Sequence, residues 1–198
     1  MAKDTKFEAK REVRTFTDLA HAADVMISKT ESEPKGSYYT TMSSLLFSAF
    51  TFEAYLNHLG EIKIIFWEDI ESIKVMGKYK VLYKELGIEP DFSKRPYQTL
   101  KQLFKFRNAL AHGKSQVLEV VKDISSNDDP DMHEPKTHWE EFCTLENAKK
   151  AVEFFDQAIE VDPNCARAHA WRACSLSNYV GWRPDEYGED WIDQCADS

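Results

Sequence analysis

Glycine and proline are scarce in this chain, with seven of each in 198 residues. A β-sandwich or β-barrel needs a turn about every ten residues and uses more of both, so the composition favours helices. The four cysteines all lie in the last third and form no CxxC pair, which favours reduced thiols over a disulfide-stabilised scaffold. The first 20 residues mix both charges and lack the apolar segment of a signal peptide, so we expect a cytoplasmic protein.

Long hydrophobic runs and excess positive charge are also missing. No uncharged stretch approaches the roughly 18 residues of a membrane span, so no membrane association is predicted. The net charge of −9 excludes a global attraction to phosphate backbones, and any role with nucleic acid requires a local basic patch. Apolar residues make up 42% of the chain, which is enough to build a packed core.

The spacing of apolar residues predicts an all-α fold. A helix over residues 38–67, broken near Gly60, is apolar on more than one side and includes Phe50 among its core positions, so it should lie at the centre. Gly87 is typical of a helix end. For residues 117–124, periodicity does not decide between a strand and a continued helix. The other predicted helices cover residues 15–29, 78–86, 97–112, 145–161 and 166–179, with a linker at 30–37 and loops at 90–96 and 125–137.

The helix predicted over residues 97–112 has one unusual position. Its polar stripe is regular, at spacings of 4, 3 and 4, and consists of Lys101, Lys105, Asn108 and His112. Arg107 instead lies in the middle of the opposite, apolar arc, where leucine is typical of an amphipathic helix. A guanidinium there must be paired, desolvated at an interface or functional, because an unpaired buried charge is very costly.

Basic residues cluster around the same helix. Residues 94–114 contain six basic residues and no acidic one, whereas residues 119–160 contain twelve acidic and four basic residues. The chain therefore has an anion-attracting segment within an acidic protein. Besides Arg107, its basic residues are Lys94, Arg95, Lys101, Lys105 and Lys114.

Residues 107–114 read RNALAHGK, and this segment resembles the R-x(4–6)-H signature of HEPN-domain proteins, in the subtype where asparagine follows arginine. The predicted core helix contains Glu53 and Asn57, which look like the E-x-x-x-N face of such domains. The resemblance covers residues 15–122. It implies a HEPN-like helical bundle, with additional helices at the C-terminus, and with the motif near the end of a late helix.

The resemblance also implies a function, since most catalytic HEPN proteins are metal-independent endoribonucleases. Arg107, Asn108 and His112 would then be the catalytic residues, and the five other basic residues would bind RNA. His112 suits proton transfer because imidazole titrates near neutrality, and Arg107 offers a planar fork to phosphate oxygens. No cofactor or metal is expected. The implied partners are RNA, a second copy of the chain and an antitoxin or regulatory protein, as in a toxin or defence effector.

Helical geometry favours a homodimer. Arg107 and His112 are about 140° apart on one ideal helix, so two helices meeting at a twofold axis would form a composite site. The apolar arc that carries Arg107 would then be partly a dimer interface. Glu53 lies in an apolar row and also needs a partner, either Arg107 or a local network of Tyr and Thr hydroxyls. The alternatives to an enzyme are a non-catalytic HEPN-type module that binds RNA, nucleotide or a partner protein, and a purely structural helical adaptor.

The C-terminal third resembles part of a tetratricopeptide repeat. Ala151, Phe155, Ala158 and Pro163 have the spacing of its second helix, and residues 166–171 look like the start of another repeat. Such repeats stack in groups of about three, so this helical pair should pack on the bundle or on a second subunit. The predicted segments are a charged lead-in (1–14), the HEPN-like domain (15–122), an acidic loop (123–143), the repeat-like pair (144–180) and an acidic tail (181–198).

Overall fold

The computed structural model describes residues 9–10, 13–87, 91, 93–95 and 97–161 of the chain. Over these residues every element of regular secondary structure is a helix, which confirms the predicted all-α fold. The helix predicted over residues 166–179 and the acidic tail lie outside them. The helices are α1 (Thr15–Ser32), α2 (Ser37–Lys63), α3 (Trp67–Ile70), α4 (Val75–Glu85), α5 (Tyr97–Ala111), α6 (His138–Phe142) and α7 (Leu145–Val161), with a 3-10 turn at Pro130–His133.

Helix α2 lies at the centre of the bundle, as its broad apolar surface predicts. It packs against α1, α4, α5 and α7. The contact with α1 is close because small residues face each other there, including Ala20 and Ala23 of α1. The buried Ser44 hydroxyl of α2 donates a hydrogen bond to the Ala23 carbonyl at 3.0 Å, so the polar group is satisfied inside the interface.

Helix α5 is fixed against α2 by its apolar face. Leu100, Leu103, Phe104 and Phe106 are all buried. The Phe104 ring lies 5.8 Å from that of Phe52 on α2, and the Phe106 ring lies 5.6 Å from that of Phe142 on α6. Because these large side chains occupy the core, the opposite face of α5 is turned to solvent.

Several helix boundaries differ from those predicted. Helix α1 continues through Ser32, into the segment predicted as a linker, since Thr30 is buried and its hydroxyl contacts that of Thr40 at 2.6 Å. Helix α4 starts at Val75, three residues earlier than predicted, and stops before Gly87, whose φ of +68° confirms the predicted helix end. The last turn of α5 still includes the backbone of His112, whose amide donates to the Asn108 carbonyl at 3.0 Å.

The connection from α5 to α6 also differs. Residues 113–129 contain neither a strand nor a helix continuation, and the Val117 and Val121 side chains are exposed. The end of the predicted acidic loop is instead helix α6, which begins with a capping box between Thr137 and Glu140. Phe142 is buried and anchors α6 to the core, a packing role that the acidic composition of this segment does not indicate. Helix α7 then packs on α1, α2 and α5.

The predicted break of α2 near Gly60 is wrong, because the helix continues through Gly60 to Lys63. Gly60 has a packing role instead. The indole of the buried Trp67 lies directly against its Cα, and a Cβ built at this position would overlap the indole ring. The absence of a side chain therefore lets the chain fold back onto α2 immediately after the helix ends.

We expect Gly60→Ala to lower the free energy of unfolding by about 1–3 kcal/mol, the usual cost of overpacking a filled core. Chemical denaturation followed by circular dichroism measures it. Gly77→Ala is the matched control, because Gly77 is also helical and the atom nearest to its added Cβ is the flexible Cδ1 of Ile73, at 3.3 Å. The control should be neutral or stabilising by up to about 1 kcal/mol. Equal stability of the two variants would contradict the proposed role of Gly60.

Candidate functional site

The Arg107 guanidinium and the Glu53 carboxylate form an ion pair between α5 and α2. Arg107 Nη2 donates to Glu53 Oε2 at 2.6 Å, and the two side chains are 23% and 26% exposed. This confirms the predicted contact between Glu53 and Arg107. The alternative, in which Glu53 pairs with Tyr or Thr hydroxyls, is not the arrangement that the structure has.

The ion pair accounts for the unusual position of Arg107 on the apolar arc. The neighbouring residues of that arc, Leu103 and Phe106, are buried against the chain's own core. Arg107 leans from the edge of this core toward α2, where Glu53 neutralises it. The interpretation of this arc as a dimer interface is therefore not needed to explain the arginine, because its partner lies within the same chain.

Lys78 belongs to the same cluster and was missed by the reasoning from sequence. It lies on α4, it is only 3% exposed, and its Nζ donates to Asn57 Oδ1 at 2.7 Å. The same Nζ lies 3.9 Å from Glu53 Oε1. Asn57 therefore contacts Arg107 only indirectly, through Lys78 and Glu53. The available signal was the position of Lys78 within the apolar stripe of α4, formed by Val75, Tyr79 and Leu82.

These contacts join three helices through five side chains, which we call the Glu53 cluster: Glu53, Asn57, Lys78, Arg107 and Asn108. Its buried end is the Lys78 ammonium. Its exposed end is Asn108, whose Oδ1 accepts a hydrogen bond from Arg107 Nη1 at 2.9 Å. Two donor groups of the guanidinium are thus held in fixed directions, which orients the remaining ones.

Phe50 flanks the cluster on α2. It was predicted as a core residue, but it is 39% exposed, and its ring centroid lies 5.7 Å from Arg107 Cζ. A guanidinium at this distance from an aromatic face gains about 0.5–1 kcal/mol at an exposed site. Phe50 therefore helps to hold Arg107 at the surface end of the cluster.

The polar stripe of α5 is exposed, as predicted. Lys101, Lys105, Asn108 and the adjoining His112 all face solvent. Within the described part of the chain, neither Lys101 nor Lys105 forms an ion pair, and the same holds for Lys114 after the helix. Cationic groups without a carboxylate partner are available to an anionic ligand.

Lys94 is less available than the α5 lysines. Its Nζ lies 3.2 Å from Asp91 Oδ2. Hydrogen bonds from Ser93 lower the pKa of Asp91, so this carboxylate stays charged beside the lysine at neutral pH. Arg95, beside it, is exposed. The predicted basic residues thus differ in availability, and the α5 lysines are the better candidates for binding an anion.

Across the residues that the structure covers, no group of three or more His, Cys, Asp and Glu side chains is arranged to hold a metal ion. In the same residues, no helix combines the length and the apolar character that crossing a bilayer requires.

The arrangement has two chemically distinct parts. An arginine is fixed by an acidic partner at the surface of α2 and α5, and a solvent-exposed histidine follows at the end of α5. Comparison with known proteins finds no matching family model, no similar curated protein and no similar solved structure. The function must therefore be inferred from these residues and their contacts.

Proposed function

We propose that the protein is a metal-independent endoribonuclease of the HEPN type. The single observation that carries this proposal is the pair of hydrogen bonds by which Glu53 and Asn108 place Arg107, on the helix that ends next to the exposed His112. RNA cleavage without a metal requires a cation for the phosphate and an imidazole for proton transfer, and α5 carries both groups. The resemblance of residues 107–114 to the HEPN motif supports the same conclusion.

The proposed reaction is an internal transesterification, in which the 2′-oxygen of a ribose replaces the 5′-oxygen of the next nucleotide on the phosphorus atom. The 2′-oxygen attacks the adjacent phosphorus, the O2′–P bond forms and the P–O5′ bond breaks, which leaves a 2′,3′-cyclic phosphate and a 5′-hydroxyl. His112 acts as the general base that accepts the 2′ proton or as the general acid that protonates the 5′ oxygen. Arg107 stabilises the additional negative charge on the phosphate, and Asn108 orients the guanidinium.

The active form in this proposal is a homodimer with a composite site. Arg107 leans toward α2, whereas His112 lies about 140° further round the helix on ideal geometry. One copy of α5 therefore directs the two groups to different places. A second copy across a twofold axis would bring His112 of one chain near Arg107 of the other, at the face where Asn108 is exposed.

The exposed lysines form the proposed binding surface for RNA. Lys101 and Lys105 lie along the same face of α5 as His112, and Lys114 follows within two residues of it. RNA is thus bound through its phosphates by a basic stripe, while the acidic remainder of the chain repels it. Such local binding fits a regulated effector, such as a toxin held by an antitoxin or another regulatory protein.

A second candidate is a non-catalytic HEPN-type module that binds RNA, nucleotide or a partner protein. The net charge of −9 favours it, because RNA affinity is then low outside the α5 stripe. The two candidates differ in one respect: only the enzyme changes the covalent structure of RNA.

The test of the enzyme is cleavage of single-stranded RNA in EDTA. We expect the wild-type protein to cut the RNA and to leave a 2′,3′-cyclic phosphate, identified by mass spectrometry. A matched substrate with one 2′-deoxyribose at the cleaved position should resist cutting there, because the attacking oxygen is absent. Cleavage at the deoxy position, or dependence on a divalent metal, would contradict the proposed chemistry.

A further inference from the structure

Lys78 is the most deeply buried charged side chain in the Glu53 cluster. Its side chain is 4% exposed, against 23% for the Arg107 side chain and 26% for that of Glu53. An ammonium group at such a position costs several kcal/mol to desolvate, and a methionine would fill similar space without that cost. Glu53 already has a close cationic partner in Arg107, so pairing alone does not require a second cation.

The charges of the cluster point to the role of this second cation. Within the described residues, Glu53 is the only carboxylate that pairs with either Lys78 or Arg107. Two cations and one anion give the cluster a net charge of +1. Without Lys78, Glu53 and Arg107 would form a neutral pair, and the guanidinium would attract a further anion only weakly.

We propose that Lys78 is a positioning residue that keeps the cluster positively charged, so that Glu53 can hold Arg107 in place and Arg107 can still bind a phosphate. Glu53 bridges the two cations through different oxygens, Oε2 to Arg107 and Oε1 to Lys78. The negative charge of Glu53 is therefore divided between the two cations, and the remaining positive charge acts at the exposed, Arg107 end of the cluster. The inference rests on the proposed function only in that the phosphate belongs to RNA.

The burial of Lys78 is what makes this influence effective. Its field reaches the site through protein rather than through water and salt, so it is screened less than that of a surface lysine. Since Lys78 itself is not exposed, it cannot touch RNA. Its effect on RNA binding must therefore pass through Glu53 and Arg107.

Four forms of the protein test this inference, because they set the net charge of the cluster at three different values. The charge is +2 in E53Q, +1 in the wild type, +1 in the double variant E53Q/K78M and 0 in K78M. We expect the affinity for a fluorescent single-stranded RNA to follow this order, with K78M about tenfold weaker than the wild type. The double variant should regain wild-type affinity although it lacks two side chains of the cluster.

A purely structural role for Lys78 predicts a different order. Affinity would then follow stability, the wild type would bind best, and the double variant would be no better than K78M. Thermal unfolding of each form, recorded in parallel, identifies any variant that is not folded at the assay temperature. Lys84→Met is the control, since Lys84 is an exposed lysine of the same helix and its loss changes the total charge equally. The control should bind within twofold of the wild type at 0.15 M salt.

A second probe separates this inference from the nuclease proposal. Inorganic phosphate is titrated against the same four forms, and the side-chain NMR signals of Arg107 report its binding. If the charge order holds for phosphate or RNA and no RNA is cut, the role of Lys78 stands and the enzyme proposal fails. If RNA is cut but affinity ignores the charge order, the role of Lys78 is overturned. Absence of any Arg107-dependent binding overturns both.

Discussion

Replacing His112 with alanine is expected to slow RNA cleavage by about 10² or more while RNA affinity stays unchanged. A group that transfers a proton lowers the barrier of the chemical step, and a neutral imidazole contributes little to the attraction of a phosphate backbone. His112 is exposed at the end of α5, so its removal should not disturb the core. Single-turnover cleavage and fluorescence anisotropy measure the two quantities separately.

Arg107→Ala provides the comparison, because its loss should reduce both cleavage and affinity. Its charge holds the phosphate in the ground state and holds it more strongly in the transition state. Lys101→Ala and Lys105→Ala should weaken binding generally and reduce the slope of log affinity against log salt by about one unit each. A wild-type protein that leaves RNA intact, yet binds it in an Arg107-dependent manner, would favour the non-catalytic module.

Mixing the two inactive variants tests the composite site. In a heterodimer of Arg107→Ala and His112→Ala chains, one of the two sites keeps an intact arginine from one chain and an intact histidine from the other. Cleavage should therefore return in the mixture. No recovery despite subunit exchange, or a monomer by light scattering at tens of micromolar, would assign both groups to one chain.

Glu53→Ala is expected to lower the free energy of unfolding by about 2–4 kcal/mol. Among the described residues, this variant leaves the buried Lys78 ammonium with Asn57 as its remaining partner and leaves Arg107 without its counter-charge. Removing one partner of a fully buried ion pair costs about 3–5 kcal/mol, and the partial exposure of Glu53 and Arg107 reduces that figure. Urea denaturation at neutral pH gives the value directly.

Glu61→Ala is the matched control for this loss. Glu61 lies on the same helix, two turns after Glu53, and it is exposed. Its removal should change stability by no more than about 0.5 kcal/mol. If the two variants lose equal stability, the contribution of the cluster to the fold is refuted, and the ion pair is only a surface contact.

Part of this site follows from the sequence because a misplaced charge is visible in a periodic pattern. Arg107 interrupts the apolar arc of α5 and Glu53 interrupts an apolar row of α2, and physical chemistry requires a partner for each. Because Arg107 is a cation and Glu53 is an anion, pairing them satisfies both. The core position of α2 was predictable in the same way, since its apolar surface was too wide for a peripheral helix.

Other features depend on how the helices meet, and spacing along the chain does not determine that. The burial of Lys78 depends on how α4 packs against α2, which the sequence does not specify. Its position within the apolar stripe of α4 was the one indication of it. Phe50 lies at the surface beside the Arg107 guanidinium instead of in the core, and the contact depends on how α5 packs against α2. The role of Gly60 depends on Trp67 returning to the helix from seven residues away. Each of these features was missed because it depends on a residue of another helix.

The exposed connection after α5 is a segment where a protease can cut the chain into two pieces. Residues 113–129 carry exposed valines and have no regular structure, and such segments are preferred sites of proteolytic nicking. A cut anywhere after Lys114 leaves all the proposed site residues on the first piece. The second piece stays bound, because Phe142, Ala148 and Ala151 are buried in the shared core. A nicked molecule would therefore keep its Glu53 cluster, and loss of the intact chain on a gel would not mean loss of the site.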